Sequence, residues 1–375
     1  MEILAIDLGT TKVKGAIIRD REVIYKKSFV FPVDDKEGKK EVEEKILWKK
    51  IKQFLKDFFN FSKKIEKIGI TSQAQTFIAI DENCRGLTNF IVWNDRRAQE
   101  EAQILNNKFP DFFKYSGLPQ FIPELMICKI LFLKRNCPEI YRRVYKFLLL
   151  NEWLILKLTG ELFGDENNAG MSGIYNIKEK RFTGEILNFL SIGENKFPNI
   201  FPTGCHFSFL KQELMDVFKI QKKVEVFSSG NDQTSAAIGS GIDKNSCVIN
   251  LGTAFVLYTL IDELPEKIEK TQMCGIFPFG NYFLLSCDGD FGSRVKKGLR
   301  NEDVFEYLKQ NLEGIEKYGK IEKFYVSGGY GKKFLKVICD VSGKRYQKNV
   351  FYKGQNMAFY GIEKIIKEAQ CTGQI

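Results

Sequence analysis

The sequence is poor in histidine, with His206 as the single example among 375 residues. One imidazole cannot build a typical zinc site, and it makes a Ser-His-Asp triad a poor candidate as well. The nine cysteines are scattered singly without a Cys-x-x-Cys pair, so a disulfide framework is not expected. Any acid–base chemistry should therefore fall to carboxylates or lysines.

Long hydrophobic runs are also missing. No apolar run reaches the roughly 18 residues that cross a membrane, so no membrane-spanning segment is expected. The first residues form an apolar strand pattern in place of a signal peptide, from which we expect a cytoplasmic protein. The net charge is +10, but the lysines are spread over predicted helices and strand ends. This distribution does not predict a nucleic-acid partner, and it is compatible with attraction of a small anionic nucleotide.

Residues 3–18 are predicted to form a β-hairpin, because two apolar, β-branched runs flank a short polar turn. Gly9 lets the backbone approach a ligand, and Thr10 and Thr11 can donate hydrogen bonds to phosphoryl oxygens. Asp7, at the end of the first strand, can hold a hydrated Mg²⁺. An ordinary hairpin with a capping aspartate explains one such turn equally well.

The same device returns in the second half of the chain. Residues 247–258 again form an apolar strand, a Leu-Gly-Thr turn with Gly252 and Thr253, and another apolar strand. Two phosphate-binding hairpins imply a duplicated fold that holds one nucleotide between its halves. The length allows two domains of ordinary size, and we predict them at residues 1–224 and 225–375.

Two further segments carry candidates for catalysis and nucleotide binding. A strand at residues 224–229 leads into a helix rich in small residues, and Asp232 at this junction is a plausible general base. Near the end of the chain, a strand at 323–327 is followed by Gly328 and Gly329, which permit close approach of a ribose or a flat ring.

Two polar loops that follow apolar strands predict a polyhydroxylated substrate. Gln73 and Gln75 lie in the first loop, and Asn94 and Asp95 in the second, where Trp93 offers an apolar face to a carbon skeleton. Polar groups at the carboxyl ends of strands face the ligand crevice in open α/β sheets. The alternative is that Asn94 and Asp95 only cap the following helix.

The segment 165–173 is a predicted loop crowded with asparagine, glycine and acidic residues. It is either a plain turn cluster or a second wall of the substrate pocket, to which Asn168 would contribute. Ahead of it, residues 3–71 read as three antiparallel strands, a long amphipathic helix and a new strand. This order is typical of the front half of a ribonuclease-H-like domain.

Together and in this order, the motifs resemble the FGGY carbohydrate kinases, the group that contains xylulokinase and glycerol kinase within the actin, Hsp70 and hexokinase superfamily. The resemblance runs over nearly the whole chain. It is carried by the segments 7–11, 93–97, 118–139, 154–160, 165–175, 230–233, 251–253, 328–329 and 340–344.

The resemblance implies an α/β protein of two ribonuclease-H-like, actin-like domains with a cleft between them. It also implies ATP-dependent, Mg²⁺-assisted phosphorylation of a hydroxyl, with Asp232 as the catalytic base and Asp7 as the acid linked to the metal. The nucleotide contacts are expected at Thr10, Thr11, Lys12, Gly252, Thr253, Gly328 and Gly329. The substrate contacts are expected at Gln73, Gln75, Trp93, Asn94, Asp95, Asn168 and Asp232.

Three departures from the family pattern leave the substrate open. The span between Thr253 and Gly328 is short, the loop after Gly329 is contracted, and Gln-Ala-Gln-Thr at 73–76 replaces the Gln-Met-His-Gly of xylulokinase-like members. A ketopentose similar to xylulose is our first expectation, with glycerol or a tetrulose as alternatives. A weakly active sugar sensor and an ATPase without a sugar acceptor remain further alternatives, and the oligomeric state is open, a homodimer included.

Overall fold

The computed structural model describes residues 1–36, 38–280, 282–346 and 349–371, with only the backbone described for 342–346 and 370–371. The strands are β1 Glu2–Leu8, β2 Lys12–Arg19, β3 Glu22–Val30, β4 Asp34–Lys36, β5 Lys39–Val42, β6 Ile65–Ser72, β7 Phe77–Ile80, β8 Phe90–Ile91, β9 Lys146–Leu149, β10 Phe163–Asp165, β11 Tyr175–Asn176, β12 Arg181–Phe182, β13 Asn199–Phe201, β14 Phe207–Phe209, β15 Glu225–Asn231, β16 Ser246–Leu251, β17 Phe255–Ile261, β18 Gln272–Ile276, β19 Tyr282–Asp288, β20 Lys323–Ser327 and β21 Asn349–Gly354. The helices are α1 Glu44–Phe61, α2 Gln99–Lys108, α3 Phe113–Ser116, α4 Met126–Asn136, α5 Pro138–Arg143, α6 Leu150–Thr159, α7 Glu166–Gly170, α8 Gly184–Leu190, α9 Gln212–Phe218, α10 Asp232–Ser240, α11 Phe291–Lys296, α12 Asn301–Glu316, α13 Gly331–Tyr346 and α14 Met357–Cys371, with a 3₁₀ turn at Glu194–Lys196.

The first half of the chain is built on a six-stranded sheet in the order β14-β15-β6-β1-β2-β3. β1 is buried along its whole length, as expected for a central strand covered on both faces. It pairs antiparallel with β2 and parallel with β6, which in turn pairs parallel with β15. The predicted hairpin at 3–18 is therefore confirmed, and it forms the centre of this sheet.

The second half repeats the arrangement in a sheet of order β18-β19-β17-β16-β20-β21. β16 and β17 are antiparallel, β17 and β19 are antiparallel, and β16, β20 and β21 run parallel. This is the pattern of β1, β2, β3, β6 and β15, so the predicted duplication of a ribonuclease-H-like unit is confirmed. The short span between Thr253 and Gly328 leaves every strand of this unit in place.

The position of the domain boundary differs from the sequence-based expectation. The predicted boundary, between residues 224 and 225, lies just before β15, but β15 pairs with β6 in the first sheet. α14 also returns to this sheet, where Ile362 and Ile366 pack against Gly69. The strand pairing favours a boundary after α10, at residues 241–245. The sequence did not show this, because the repeated hairpin marks the second half and reveals nothing about the partner of β15.

Helices α10 and α14 follow the last parallel strand of each half and cross in direct backbone contact. A methyl group on Gly361 would lie 1.8 Å from the carbonyl oxygen of Ser235, and one on Gly239 would lie 1.9 Å from that of Met357. Any side chain at these two positions would push the helices apart. The crossing joins the two halves next to the residues that α10 carries.

A five-stranded sheet of order β4-β5-β8-β7-β9 and several helices are inserted into the first half. The charged segment 34–40 forms the hairpin of β4 and β5. The segment 165–173, predicted as a loop, contains α7, whose first turn is capped by the Asp165 carboxylate. Asp, Asn and Gly favour turns and helix caps alike, so composition alone does not separate the two.

The apolar face of α1 covers one side of the first sheet. Its buried residues Leu47, Ile51, Phe54, Leu55, Phe58 and Phe59 follow helical spacing, as the predicted amphipathic helix requires. Gly15 of β2 lets Phe54 and Phe58 approach, since a methyl group there would lie 2.7 and 2.8 Å from their rings. None of the helices in the described ranges has the length and apolar character needed to cross a membrane.

Candidate active site

The two phosphate-type turns face each other across the cleft. Thr11, between β1 and β2, and Thr253, between β16 and β17, bring their hydroxyl oxygens within 3.4 Å, although 242 positions separate them in the chain. Gly252 has open space where a side chain would stand, with only the Ala254 carbonyl oxygen at 4.0 Å. Backbone and hydroxyl donors from both halves thus converge on one place.

Asp7 and Lys14 form an ion pair beneath the first turn. They lie opposite each other in the β1–β2 register, and the Lys14 ammonium is 3.0 Å from Asp7 Oδ2. The charge of Asp7 raises the pKa of Lys14. Asp7 Oδ1 is buried and has no hydrogen-bond partner among the described residues.

This arrangement fits a hydrated Mg²⁺. The described residues contain no group of three or more His, Cys, Asp or Glu that could surround a metal ion. Mg²⁺ commonly keeps several waters and takes only one or two carboxylates from the protein, together with substrate phosphates. The free oxygen of Asp7 meets that need, while its other oxygen is held by Lys14.

Asp232 opens α10 close to this pair. The preceding residue, Asn231, caps the helix by accepting a hydrogen bond of 2.9 Å from the backbone N–H of Thr234. Burial and the charge of Asp7 raise the pKa of Asp232 to about 7, while Lys14 opposes the shift. A carboxylate with this pKa is matched to proton acceptance near neutral pH.

Asn250 connects the helix of Asp232 to the second glycine turn. Its Nδ2 donates to Gln233 Oε1 at 2.9 Å, and its Oδ1 lies 3.4 Å from the Ser327 hydroxyl, just before Gly328. Gly328 has φ +93°, and a methyl group there would lie 2.4 Å from the Leu251 carbonyl oxygen, so the turn requires glycine. Gly329 has open space at its side-chain position, as a ligand that approaches the backbone needs.

The segment 340–344 also carries the family resemblance, but the side chains of 342–344 lie outside the described residues.

Trp93 touches three parts of the site. Its indole Nε1–H donates to Thr10 Oγ1 at 3.0 Å, and its backbone N–H donates to Thr76 Oγ1 at 2.9 Å. On the opposite edge of the ring, Cη2 would lie 3.3 Å from a methyl group on Gly289 of the second half. The ring therefore extends from the first phosphate turn to the turn between β19 and α11.

Lys129 of α4 holds this loop from behind. Its side chain is fully buried, and Nζ donates to the carbonyl oxygens of Val92 at 2.8 Å and Trp93 at 2.9 Å. Burial lowers the pKa of Lys129 to about 7, against the opposing influence of Asp95. Sequence reasoning missed this lysine, because nothing in its local pattern indicates that it reaches backbone atoms of another element.

Three of the predicted substrate residues keep an unused acceptor. Gln73 Oε1, Asn94 Oδ1 and Asn168 Oδ1 are buried and have no hydrogen-bond partner among the described residues. Leaving a buried polar atom unpaired costs about 1–3 kcal/mol, so these three acceptors are available to the donor groups of a ligand. Hydroxyl groups of a polyol would serve as donors to amide carbonyl oxygens.

Gln75 and Asp95 are already engaged within the protein. Gln75 has φ +67°, and its amide bonds the backbone N–H of Met126 and the carbonyl oxygen of Met171. The fully buried Asp95 carboxylate accepts from Arg97 at 2.9 and 2.7 Å and from the backbone N–H of Lys40. These contacts favour a role in shaping the loops over the predicted sugar contacts, and α2 begins at Gln99 without a side-chain cap.

Lys14 and Lys12 lie on the same strand, and the sequence prediction named only Lys12. Lys12 is exposed at the start of β2, whereas Lys14 is bonded to Asp7. The hairpin itself carried the signal for Lys14, since a register that pairs Leu8 with Val13 across the turn places Lys14 opposite Asp7.

A family model for the N-terminal domain of the FGGY family of carbohydrate kinases matches residues 2–239, well over half of the chain. The chain belongs to the FGGY family. Among curated proteins, this FGGY chain is 26% identical over 262 residues to the xylulose kinase of Lactococcus lactis, covering 68% of the chain and 52% of that protein. It is 28% identical over 270 residues to the glycerol kinase of Thermococcus gammatolerans, covering 68% of the chain and 53% of that protein. The chain thus spans about half the length of these two relatives.

The FGGY fold is also found in the solved structures. A ligand-bound xylulose kinase from Lactobacillus acidophilus superimposes with a TM-score of 0.86 at 21% identity, covering 100% of the chain and 90% of that structure. A xylulose kinase from Rhodospirillum rubrum gives a TM-score of 0.89 at 15% identity, with the same two coverages. The predicted fold class is confirmed.

Proposed function

We propose that this FGGY chain transfers the γ-phosphoryl group of ATP to a hydroxyl of a ketopentose similar to xylulose, or of a related neutral polyol. The observation that carries the proposal is that Asp232 lies within electrostatic reach of Asp7 and Lys14, the pair that flanks a turn whose Thr11 hydroxyl lies 3.4 Å from that of Thr253 in the other half. Phosphoryl transfer needs positioning and charge neutralisation more than covalent chemistry, and these groups supply both.

In the proposed mechanism, Asp232 accepts the proton of the substrate hydroxyl while the oxygen of that hydroxyl forms a bond to the γ-phosphorus. The bond from that phosphorus to the bridging oxygen breaks, and ADP leaves. Thr11 and Thr253 donate hydrogen bonds to phosphoryl oxygens from the two sides of the cleft. Mg²⁺, held through water on Asp7, would neutralise phosphate charge when bound.

The charges around the substrate loops favour a neutral polyol over a sugar acid. Lys14 is paired with Asp7, Arg97 with Asp95 and Glu41, and Lys129 with two backbone carbonyls. The carboxylate of an aldonate finds no unpaired partner among these three cations. The unused carbonyl oxygens of Gln73, Asn94 and Asn168 instead match hydroxyl donors.

The test is ADP formation with a panel of xylulose, other ketopentoses, ketotetroses, glycerol, sugar alcohols and gluconate. We expect ADP release that depends on a neutral polyol and is absent with gluconate as sole acceptor. Equal turnover with gluconate would contradict the charge argument. Calorimetric binding of ATP and sugar without any phosphorylated product would indicate a sensor, and ATP hydrolysis independent of acceptor would indicate an ATPase.

A further inference from the structure

We infer that Trp93 is a positioning residue that couples the substrate loop to the first phosphate turn, by orienting the Thr10 hydroxyl toward a phosphoryl oxygen. The inference rests on the proposed function only in its kinetic consequences. Its structural basis is the hydrogen bond of 3.0 Å from the indole Nε1–H to Thr10 Oγ1.

The direction of this hydrogen bond decides what Thr10 can do. A threonine hydroxyl has one proton to donate and two lone pairs that accept. The indole N–H can only donate, so it fills an acceptor position on Thr10 Oγ1 and turns the hydroxyl proton away from Trp93. Thr10 is half-exposed in the turn between β1 and β2, so its proton remains available to a ligand. The donor is therefore oriented before a phosphate arrives, which reduces the entropy lost on binding.

Trp93 is itself held in place by two contacts to its backbone and one at the far edge of its ring. Thr76 accepts from the Trp93 backbone N–H, Lys129 donates to the Trp93 carbonyl oxygen, and Gly289 packs against the far edge of the ring. A substrate that contacts the ring or this loop acts on a group that is bonded to the phosphate turn. Occupation of the substrate pocket is thereby transmitted to the ATP site through one side chain.

A double-mutant cycle tests the inference, with Trp93→Phe removing the N–H but keeping an aromatic ring. Thr10→Val removes the hydroxyl that Trp93 contacts. Thr11→Val is the matched control, because Thr11 lies in the same turn and its hydroxyl faces Thr253 instead. We expect Trp93→Phe to lower kcat/KM for ATP by about tenfold, the size of one oriented hydrogen bond, with a smaller change in KM for the sugar.

In the Thr10→Val background, Trp93→Phe should lower kcat/KM for ATP by less than about twofold, since the acceptor is already gone. In the Thr11→Val background, Trp93→Phe should still lower kcat/KM for ATP by about tenfold. Thr10→Ser, which keeps the hydroxyl, should restore the sensitivity. Equal effects of Trp93→Phe in the Thr10→Val and Thr11→Val backgrounds would overturn the coupling.

The same cycle on the dissociation constant of a non-hydrolysable ATP analogue with Mg²⁺ needs no sugar and no turnover. A coupling between Trp93 and Thr10 in analogue binding, without kinase activity for any acceptor, would contradict the proposed function and support the role of Trp93. Absence of this coupling in a protein that phosphorylates a sugar would contradict the role of Trp93 and support the proposed function. Thermal melts of each variant identify those that fail to fold.

Discussion

Asp232 owes its basicity to a balance between two neighbours. Burial and the negative charge of Asp7 raise the pKa of Asp232 to about 7, and the Lys14 ammonium limits that rise. A base acts in its deprotonated form, so kcat/KM should increase as the pH rises through about 7. Lys14 therefore sets the pH range in which the site works.

Replacing Lys14 with methionine should move the acidic limb of the kcat/KM profile to higher pH by about one unit, because Asp232 loses its nearest positive charge. Lys12→Met, on the same strand but exposed and without the bond to Asp7, should leave the limb in place. The measurement is the pH dependence of kcat/KM for the best acceptor between pH 5 and pH 9. A limb at the same pH in Lys14→Met and the wild type would contradict the assignment.

The residues of the site differ in how far the sequence reveals them. The places of Asp7, Thr10 and Thr11 were predictable, since a strand–turn–strand pattern fixes them locally, whereas their roles toward Mg²⁺ and phosphate stay predictions. The unused acceptors of Gln73, Asn94 and Asn168 agree with their predicted role, which contact with a ligand has yet to test. Lys129 was not predictable, because its partners are backbone carbonyls 36 and 37 residues away.

At the scale of elements, α4 supports the substrate loop through a single buried ammonium. Lys129→Met should lower the free energy of unfolding by about 1–3 kcal/mol, since two buried carbonyl groups lose their donor, and should raise KM for the sugar. Lys134→Met is the matched control, because Lys134 lies on the same helix and bonds Phe189 and Ser191 away from the loop. Denaturant unfolding and steady-state kinetics measure both effects. An unchanged sugar KM in Lys129→Met would show that the loop does not need this support.

The α10–α14 crossing is the element contact on which Asp232 depends. Gly361→Ala should destabilise the protein by about 1–3 kcal/mol, because a methyl group there overlaps the Ser235 carbonyl oxygen and forces backbone shifts. Activity should fall with it, since α10 carries Asp232 at its first turn. Gly184→Ala at the start of α8, where nothing lies within 4 Å, should change stability by less than about 0.5 kcal/mol. Equal melting temperatures for the two variants would contradict direct backbone contact.

The positions of the strands and helices were predicted better than their pairing and packing with one another. The two phosphate hairpins, α1 and the strand before Asp232 lie close to the expected positions, since hydrophobic periodicity and turn residues state them locally. The pairing of β15 with β6 and the return of α14 to the first half arise from contacts between distant residues. For that reason the sequence predicts a domain boundary before β15, whereas the strand pairing favours a boundary after α10.

At the scale of the whole molecule, the duplicated fold places one part of the proposed phosphate site on each sheet. Asp7 lies in β1 with Thr10 and Thr11 in the turn after it, whereas Thr253 and Gly328 lie in turns that follow β16 and β20 of the second sheet. The chain reaches this arrangement with both six-stranded sheets complete, although it spans about half the length of the two curated relatives compared. We therefore expect the shortened second half to retain a working ATP site.

In the proposed reaction, Asp232 accepts the proton of a sugar hydroxyl between these two halves. The decisive measurement is sugar-dependent ADP formation by the wild type and by Asp232→Asn, which keeps the shape of the side chain and removes the base. We expect a loss in kcat of about 10²–10⁴-fold, with binding of the sugar and the ATP analogue retained. Undiminished turnover by Asp232→Asn, at the same sugar concentration and pH, would contradict it.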